Sequence, residues 1–193
     1  MKKVTRMIRK LALALTLLLP LALPGPASAQ GAGVTVDGWE RQVAATGTVF
    51  FRCRAASCTA QSTVSYRPQQ AGRMPALAAF RQRQEETNRR MVEGSNGRLT
   101  RVDIIEVAES ERAGARVLTA VKLMVAASGP NQYLATALVM QGQKAFSIVS
   151  TAPTDAAARS NLATFIPVGQ AHEEDTGNDG HPRCGAHDLE CRP

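Results

Sequence analysis

Hydrophobic positions change their spacing several times along this chain, and each change marks an element. Leu11 to Leu23 is an almost unbroken apolar block. After Gly47 the pattern becomes β-branched and aromatic: Thr48 to Arg54 and Thr59 to Arg67 carry Val49, Phe50, Phe51, Thr63, Val64 and Tyr66, which predicts a hairpin closed by Pro68. Before it, Val34 to Ala44 reads as a strand or a turn around Asp37-Gly38. From Pro75 to Glu93 apolar positions fall at Leu77, Phe80, Met91 and Val92 among strong helix formers, with Pro75 in the first turn, and the spacing predicts a helix. Gly94 to Gly97 stops it.

Three or four strands follow. In the first, adjacent Ile104 and Ile105 break the alternation of Val102, Ile104 and Val107, which predicts a bulge or a strand covered on both faces. In the second, Val117, Thr119, Val121, Leu123 and Val125 share one face and Leu118, Ala120 and Met124 the other, so both faces require cover. Gly129-Pro130-Asn131 and Gln141-Gly142-Gln143 are short turns into Tyr133 to Met140 and Lys144 to Thr151, and short turns between strands mean an antiparallel meander. Thr154-Asp155 opens a second helix whose stripe is Ala158, Leu162 and Phe165, with Pro167 as its expected end. Apolar periodicity then disappears. The sum is an α+β fold: an antiparallel sheet of about five to six strands with an N-terminal hairpin, covered by two helices and followed by a disordered acidic C-terminal tail.

The apolar block near the start has its own meaning. Lys2, Lys3, Arg6, Arg9 and Lys10 precede it and Ala27-Ser28-Ala29 follows, the three-part pattern of a secretory signal cleaved between Ala29 and Gln30. The block is shorter than the ~20 residues a membrane helix needs, and no later stretch is apolar enough to span. Residues 1–29 are therefore read as signal, 30–169 as one domain and 170–193 as tail. The expected location is periplasmic or secreted, with no stable membrane anchor after cleavage.

Removing the signal changes the charge. Five of the 23 basic residues lie in it, which leaves 18 against 16 acids. Residues 30–169 hold 16 basic and 10 acidic groups, and residues 170–193 hold 2 and 6. A basic body carrying an acidic tail favours anionic partners such as an envelope polymer or a protein. Export argues against nucleic acid. Most of the body's cations are Arg spread along the chain, which also reads as a solvated surface.

Four cysteines in an oxidising compartment predict two local disulfides, Cys53 with Cys58 and Cys184 with Cys191. If the four residues between Cys53 and Cys58 form the hairpin loop, the two face each other across the strands. A redox role would call for C-x-x-C at a helix start, which this spacing is not. The tail also offers H-x2-C-x2-H-x3-C through His181, Cys184, His187 and Cys191, a weak candidate zinc or copper site that pairing of the cysteines would abolish. No cofactor is implied. A hydrolase would need a nucleophile beside a histidine base, yet all three histidines lie in the tail. Glu85, Glu86, Asp103 and Glu106 are the available acid/base carboxylates, Arg81, Arg83, Arg89 and Arg90 form a basic helix face balanced by its own glutamates, and Trp39 is a packing residue or a ligand wall.

The order hairpin, helix, meander, helix, with the run Ala145-Phe146-Ser147-Ile148-Val149-Ser150-Thr151 leading to Asn161 and Phe165, resembles the PsbP-like proteins, including DcrB-like periplasmic members. The resemblance covers roughly Val43 to Pro167 and implies an antiparallel sheet covered by helices and a non-enzymatic accessory role. It carries no binding residue over. The expectation is a secreted or periplasmic non-catalytic binding or accessory module of the cell envelope; the alternatives are a metal-binding protein acting through the tail and an enzyme on an α+β roll.

Overall fold

The structure is a computed structural model that describes residues 35–70 and 72–176. The signal, its cleavage site and His181, Cys184, His187 and Cys191 lie outside the described residues, as does most of the acidic tail.

Seven strands form one antiparallel sheet: β1 (Trp39–Val43), β2 (Val49–Cys53), β3 (Thr63–Gln69), β4 (Leu99–Arg112), β5 (Ala115–Ala126), β6 (Gln132–Gln141) and β7 (Lys144–Ala152). The order across the sheet is β1-β2-β3-β7-β6-β5-β4. The α+β class stands, and the strand count exceeds the five to six expected because the segment before Gly47 pairs fully with β2, from Trp39↔Cys53 to Val43↔Val49. The turn between them needs Gly47 at φ 77°, where the Gly47 N–H donates to the Ala44 carbonyl.

Two helices cover opposite faces. α1 (Leu77–Gly94) connects β3 to β4, carrying the chain from mid-sheet to the far edge, and α2 (Asp155–Thr176) follows β7. On the α2 face, Ala158, Leu162, Phe165 and Ile166 pack on Phe51, Val64, Val117, Val139, Phe146 and Ile148. Phe165 lies 5.0 Å from Trp39 edge-on and 4.8 Å from Phe51, ring pairs worth about 0.5–1.5 kcal/mol each beyond area burial. On the α1 face the core is small: Met74, Phe80, Leu118 and Ala120, with Val107, Leu138 and Met140 against it. The two apolar faces of β5 thus receive one helix each. The hairpin extends the sheet instead of covering it.

Local chemistry explains the boundaries. α1 starts after Pro75, with Ala76 extended at its N-cap, so Pro75 precedes the helix. At its other end Ser95 caps twice: its hydroxyl donates to the Val92 carbonyl at 2.7 Å and accepts from the Leu99 N–H at 3.1 Å. In β4 the register slips between Ile104 and Glu106, and Ile105 is pushed outward to 48% exposure. That is the bulge expected from the paired isoleucines. The Ala157 N–H donates to Thr154 Oγ1 at the start of α2.

α2 does not end at Pro167 but runs on to Thr176, taking the first residues assigned to the tail into the helix. Pro167 and Ala163, whose carbonyl the proline leaves free, are both solvent-exposed, so water replaces the lost bond. Beyond the proline, buried Gly169 sits against Phe146 and Gln170 donates to Gln141 Oε1 at 3.2 Å. No helix among the described residues is long and apolar enough to cross a membrane.

Candidate functional site

Cys53 and Cys58 are bonded, with Cα atoms 5.8 Å apart. They do not face each other across the hairpin as expected. β3 begins at Thr63, not Thr59, and the residue facing Cys53 from that side is Ser62, whose carbonyl accepts the Cys53 N–H. The bridge closes a small loop inside the β2-β3 connection. That loop also packs on the approach to β1: Arg54 N–H donates to the Gly38 carbonyl, and the Arg54 side chain pairs with Glu40 at 2.7 Å.

Among the described residues nothing covers the hairpin's outer face, which lies on the α1 side of the sheet beyond the reach of α1. Glu40, Gln42, Phe50, Arg52, Arg54 and Thr63 line a groove of about 370 Å³ there, and Phe50 is 44% exposed. Polar pairs continue the surface inward: the Thr63 and Thr151 hydroxyls lie 2.6 Å apart, and Gln69 Nε2 donates to Ser147 Oγ at 2.9 Å.

The carboxylates weighed as acid/base groups are not brought together. Glu86 pairs with Arg90, Asp103 with Arg101 at 2.7 Å, and Glu106 with Arg159 at 2.6 Å. Glu85 forms no ion pair with Arg89, one of the arginines that the helix's glutamates were expected to balance; both line a groove between α1 and β4. Trp39 is a packing residue on Phe165. Among the described residues there is no group of three His, Cys, Asp or Glu placed to hold a metal ion.

The groove between α1 and β4 has a volume of about 770 Å³, with Arg81, Glu85, Asn88, Arg89, Val92 and Glu93 on the helix and Thr100 to Ile104 on the strand. Two unusual polar groups lie at this interface. Asn88 is buried on the inner stripe of α1, two turns past Phe80, and its Nδ2 donates to the Val102 carbonyl at 3.3 Å. Lys122 is fully buried on β5, paired in register with Ile104 on one side and Leu134 on the other. It shares the α1 face with Leu118, Ala120 and Met124. Phe80 clusters with Leu118 and Ala120, and Asn88 reaches Val102, which pairs with Met124; Lys122 lies between these two anchor points, beneath the middle of the helix.

Three buried side-chain polar atoms among the described residues have no hydrogen-bond partner: Ser62 Oγ, Asn88 Oδ1 and Lys122 Nζ. Two of the three belong to this interface. Burial alone pushes the Lys122 ammonium down from 10.5 to about 8, since no anion stands by to favour the charged form. The sequence reading passed over both residues. A signal for Lys122 existed: the face of β5 that reads Leu118, Ala120, Met124 has a lysine at its remaining position, which a one-sided strand would place in solvent and a strand covered on both faces cannot.

No family model and no curated protein matches this sequence. Among solved structures the chain is similar to cyanobacterial PsbP (CyanoP) from Synechocystis sp. PCC 6803, at TM-score 0.40 and 12% identity over 78% of this chain and 97% of that one. It is also similar to PA94, a protein of unknown function from Pseudomonas aeruginosa, at TM-score 0.38 and 13% identity over 77% and 89% of the two chains. A PsbP is thus among the structures this chain is similar to, in line with the coarse PsbP-like resemblance of its element order, and at these scores neither protein's role is carried over.

Proposed function

We propose that this chain is an exported, non-catalytic binding or accessory module of the cell envelope, working in the periplasm or outside the cell after cleavage between Ala29 and Gln30. The observation that carries the reading is the hairpin face that no described residue covers, where Phe50 stands 44% exposed in a groove that Arg52 and Arg54 also line, on a hairpin with a disulfide-closed loop. An exposed aromatic ring with an arginine nearby is a common anchor for a partner, and the bridge restrains the adjoining loop and so lowers the entropic cost of docking. The basic-apolar-small opening of the chain and the use of a disulfide both fit an oxidising compartment. In this reading Glu86, Asp103 and Glu106 serve as ion-pair partners of arginines and not as acid/base groups. The net positive body favours an anionic envelope component or protein as the partner.

The test combines intact mass with in-cell crosslinking. The full-length chain, recovered from the periplasm, is expected to start at Gln30 with Cys53 and Cys58 oxidised. A photo-crosslinking amino acid at position 50 is expected to yield one envelope adduct that the same group at Arg112, on the far edge strand, does not. A chain retained in the cytoplasm with its leader and free thiols would overturn the reading, as would saturable turnover of an envelope substrate abolished by a carboxylate substitution.

A further inference from the structure

We propose that the open sheet face around Phe50 binds an acidic polysaccharide of the envelope, a linear glycan of carboxylate-bearing sugars laid across the strands. A sugar ring stacks on Phe50, its hydroxyls bond the Ser and Thr side chains of β3 and β7, and carboxylates reach Arg52 and Arg67. This rests on the reading of that face as the binding surface and names the chemistry of what it binds.

The argument starts from register. Strand pairing sets Gln42, Phe50, Ser65, Val149 and Thr136 opposite one another from β1 to β6, in one row on the face away from α2. The row on one side of it holds Glu40, Arg52, Thr63 and Thr151; on the other side Arg67 lies opposite Ser147. Phe50 thus stands in a middle row with an arginine in each flanking row. At about 4.8 Å per strand spacing, β1 to β7 make a strip about 14 Å across. α1 packs over β4 and β5, with Leu138 and Met140 of β6 reaching its core, so among the described residues no helix covers the strip. The groove at its hairpin end crosses β1, β2 and β3.

These side chains select the ligand. Ser and Thr are under-represented in the hot spots of protein interfaces, but a hydroxyl both donates and accepts, as a sugar hydroxyl does. The Thr63 and Thr151 hydroxyls share one hydrogen at 2.6 Å, which leaves the other to donate outward. Ser147 accepts from Gln69 Nε2 and keeps its own hydrogen. The exposed ring of Phe50 has a negative face that attracts the polarised C–H groups of a sugar. Charge then sets the class: Glu40 is neutralised by Arg54 at 2.7 Å, whereas Arg52 and Arg67 have no ion-pair partner among the described residues. Carboxylates satisfy both. In a glycan whose successive rings are flipped, carboxylates project alternately to the two sides of the chain, and Arg52 and Arg67 lie on adjacent strands on opposite sides of the Phe50 row.

NMR titration of the ¹⁵N-labelled protein with hexamannuronate, cellohexaose, poly-L-glutamate and single-stranded oligothymidine tests the proposal. Both sugars have flipped rings, and only the first is acidic. Hexamannuronate is expected to shift the resonances of Gln42, Phe50, Ser65 and Ser147, and cellohexaose to bind the same residues about tenfold more weakly. Phe50→Ala should weaken both sugars about tenfold and Phe50→Tyr restore them. Arg52→Gln should weaken hexamannuronate and leave cellohexaose unchanged, a split that general damage to the fold would not produce. No shift on the strip with hexamannuronate, polyglutamate or oligothymidine binding as tightly, or no effect of Phe50→Ala would each overturn it. If no sugar binds while position 50 still crosslinks to an envelope protein, this proposal fails and the binding-module reading stands. If hexamannuronate binds a chain that is retained in the cytoplasm, the envelope reading fails and the chemistry of the surface stands.

Discussion

Replacing Lys122 with methionine is expected to stabilise the protein near neutral pH, and the size and pH dependence of the gain follow from one group. Burial lowers the Lys122 ammonium from 10.5 to about 8, and a shift of 2.5 units at about 1.36 kcal/mol per unit sets the cost of holding it charged at about 3 kcal/mol. Between the folded and unfolded values the unfolded chain binds more protons, so the native protein gains stability as pH rises. The cost is therefore fully present below pH 8 and relieved by 10.5. Methionine keeps the unbranched stem as far as Cε and removes the charge and the orphan donor, so the variant should be more stable by about 3 kcal/mol at pH 7, or roughly 6–12 °C in Tm. The advantage should shrink through the same window. Trp39, the only tryptophan, packs against Phe165 in the core and reports unfolding by fluorescence. Urea titrations of both chains at steps from pH 7 to 10.5 give the difference directly, and tyrosines and the other lysines cancel between them. A gain that does not change with pH, or a variant less stable at pH 7, would refute the reasoning.

Other expectations are tied to single contacts. Gly169→Ala would place a Cβ 2.6 Å from Phe146 Cε2, inside a core where Phe146 is 1% exposed and cannot yield, so the change should cost about 1–3 kcal/mol in urea titration despite alanine's better helix propensity. Removing the bridge with Cys53→Ala and Cys58→Ala together should cost about 2 kcal/mol, the loop-closure entropy of a six-residue ring; no change in urea midpoint would mean the loop is held by its other contacts. Native-state hydrogen exchange should show α1 amides opening at a lower free energy than those of α2 between Ala158 and Ile166, because four buried apolar residues hold α1 where eighteen form the α2 core. Equal protection would refute that ordering.

Most of the fold was legible because it rests on periodicity. The two apolar faces of β5 called for two covering layers, the Ile104-Ile105 pair located the bulge, and Thr154-Asp155 located the start of α2. The misses have specific causes. Pro167 reads as a stop only if the carbonyl it frees is buried, and here Ala163 faces water. The spacing of Cys53 and Cys58 fitted a tight hairpin turn, but the strands resume only at Thr63, so the bridge lies inside a longer connection. β1 was left open between strand and turn by its short, mostly exposed pattern, and pairing with β2 decides it. Asn88 and Lys122 were missed because each is locally ordinary: a polar residue in a helix rich in polar residues, and a charge that alternation allows at a surface. Only the assembly of α1 over β5 makes them buried.

That assembly divides the molecule's labour between its two faces. The α2 face is packed mainly with carbon, and the buried pair there, Asn161 Nδ2 donating to Ser150 Oγ at 3.1 Å, is satisfied. The α1 face has less apolar contact and both orphan atoms of a buried amine and a buried amide. A fold selected only for stability would reverse the choice at Lys122, since an apolar side chain of similar size fits β5's other inward positions without the desolvation cost. The cost of Lys122 falls on the face that α1 covers with the smaller core, while the larger core on the opposite face holds the sheet together. The two costly polar groups, Lys122 on β5 and Asn88 on α1, and the smaller apolar core meet at the same contact, so α1 is the helix expected to open first.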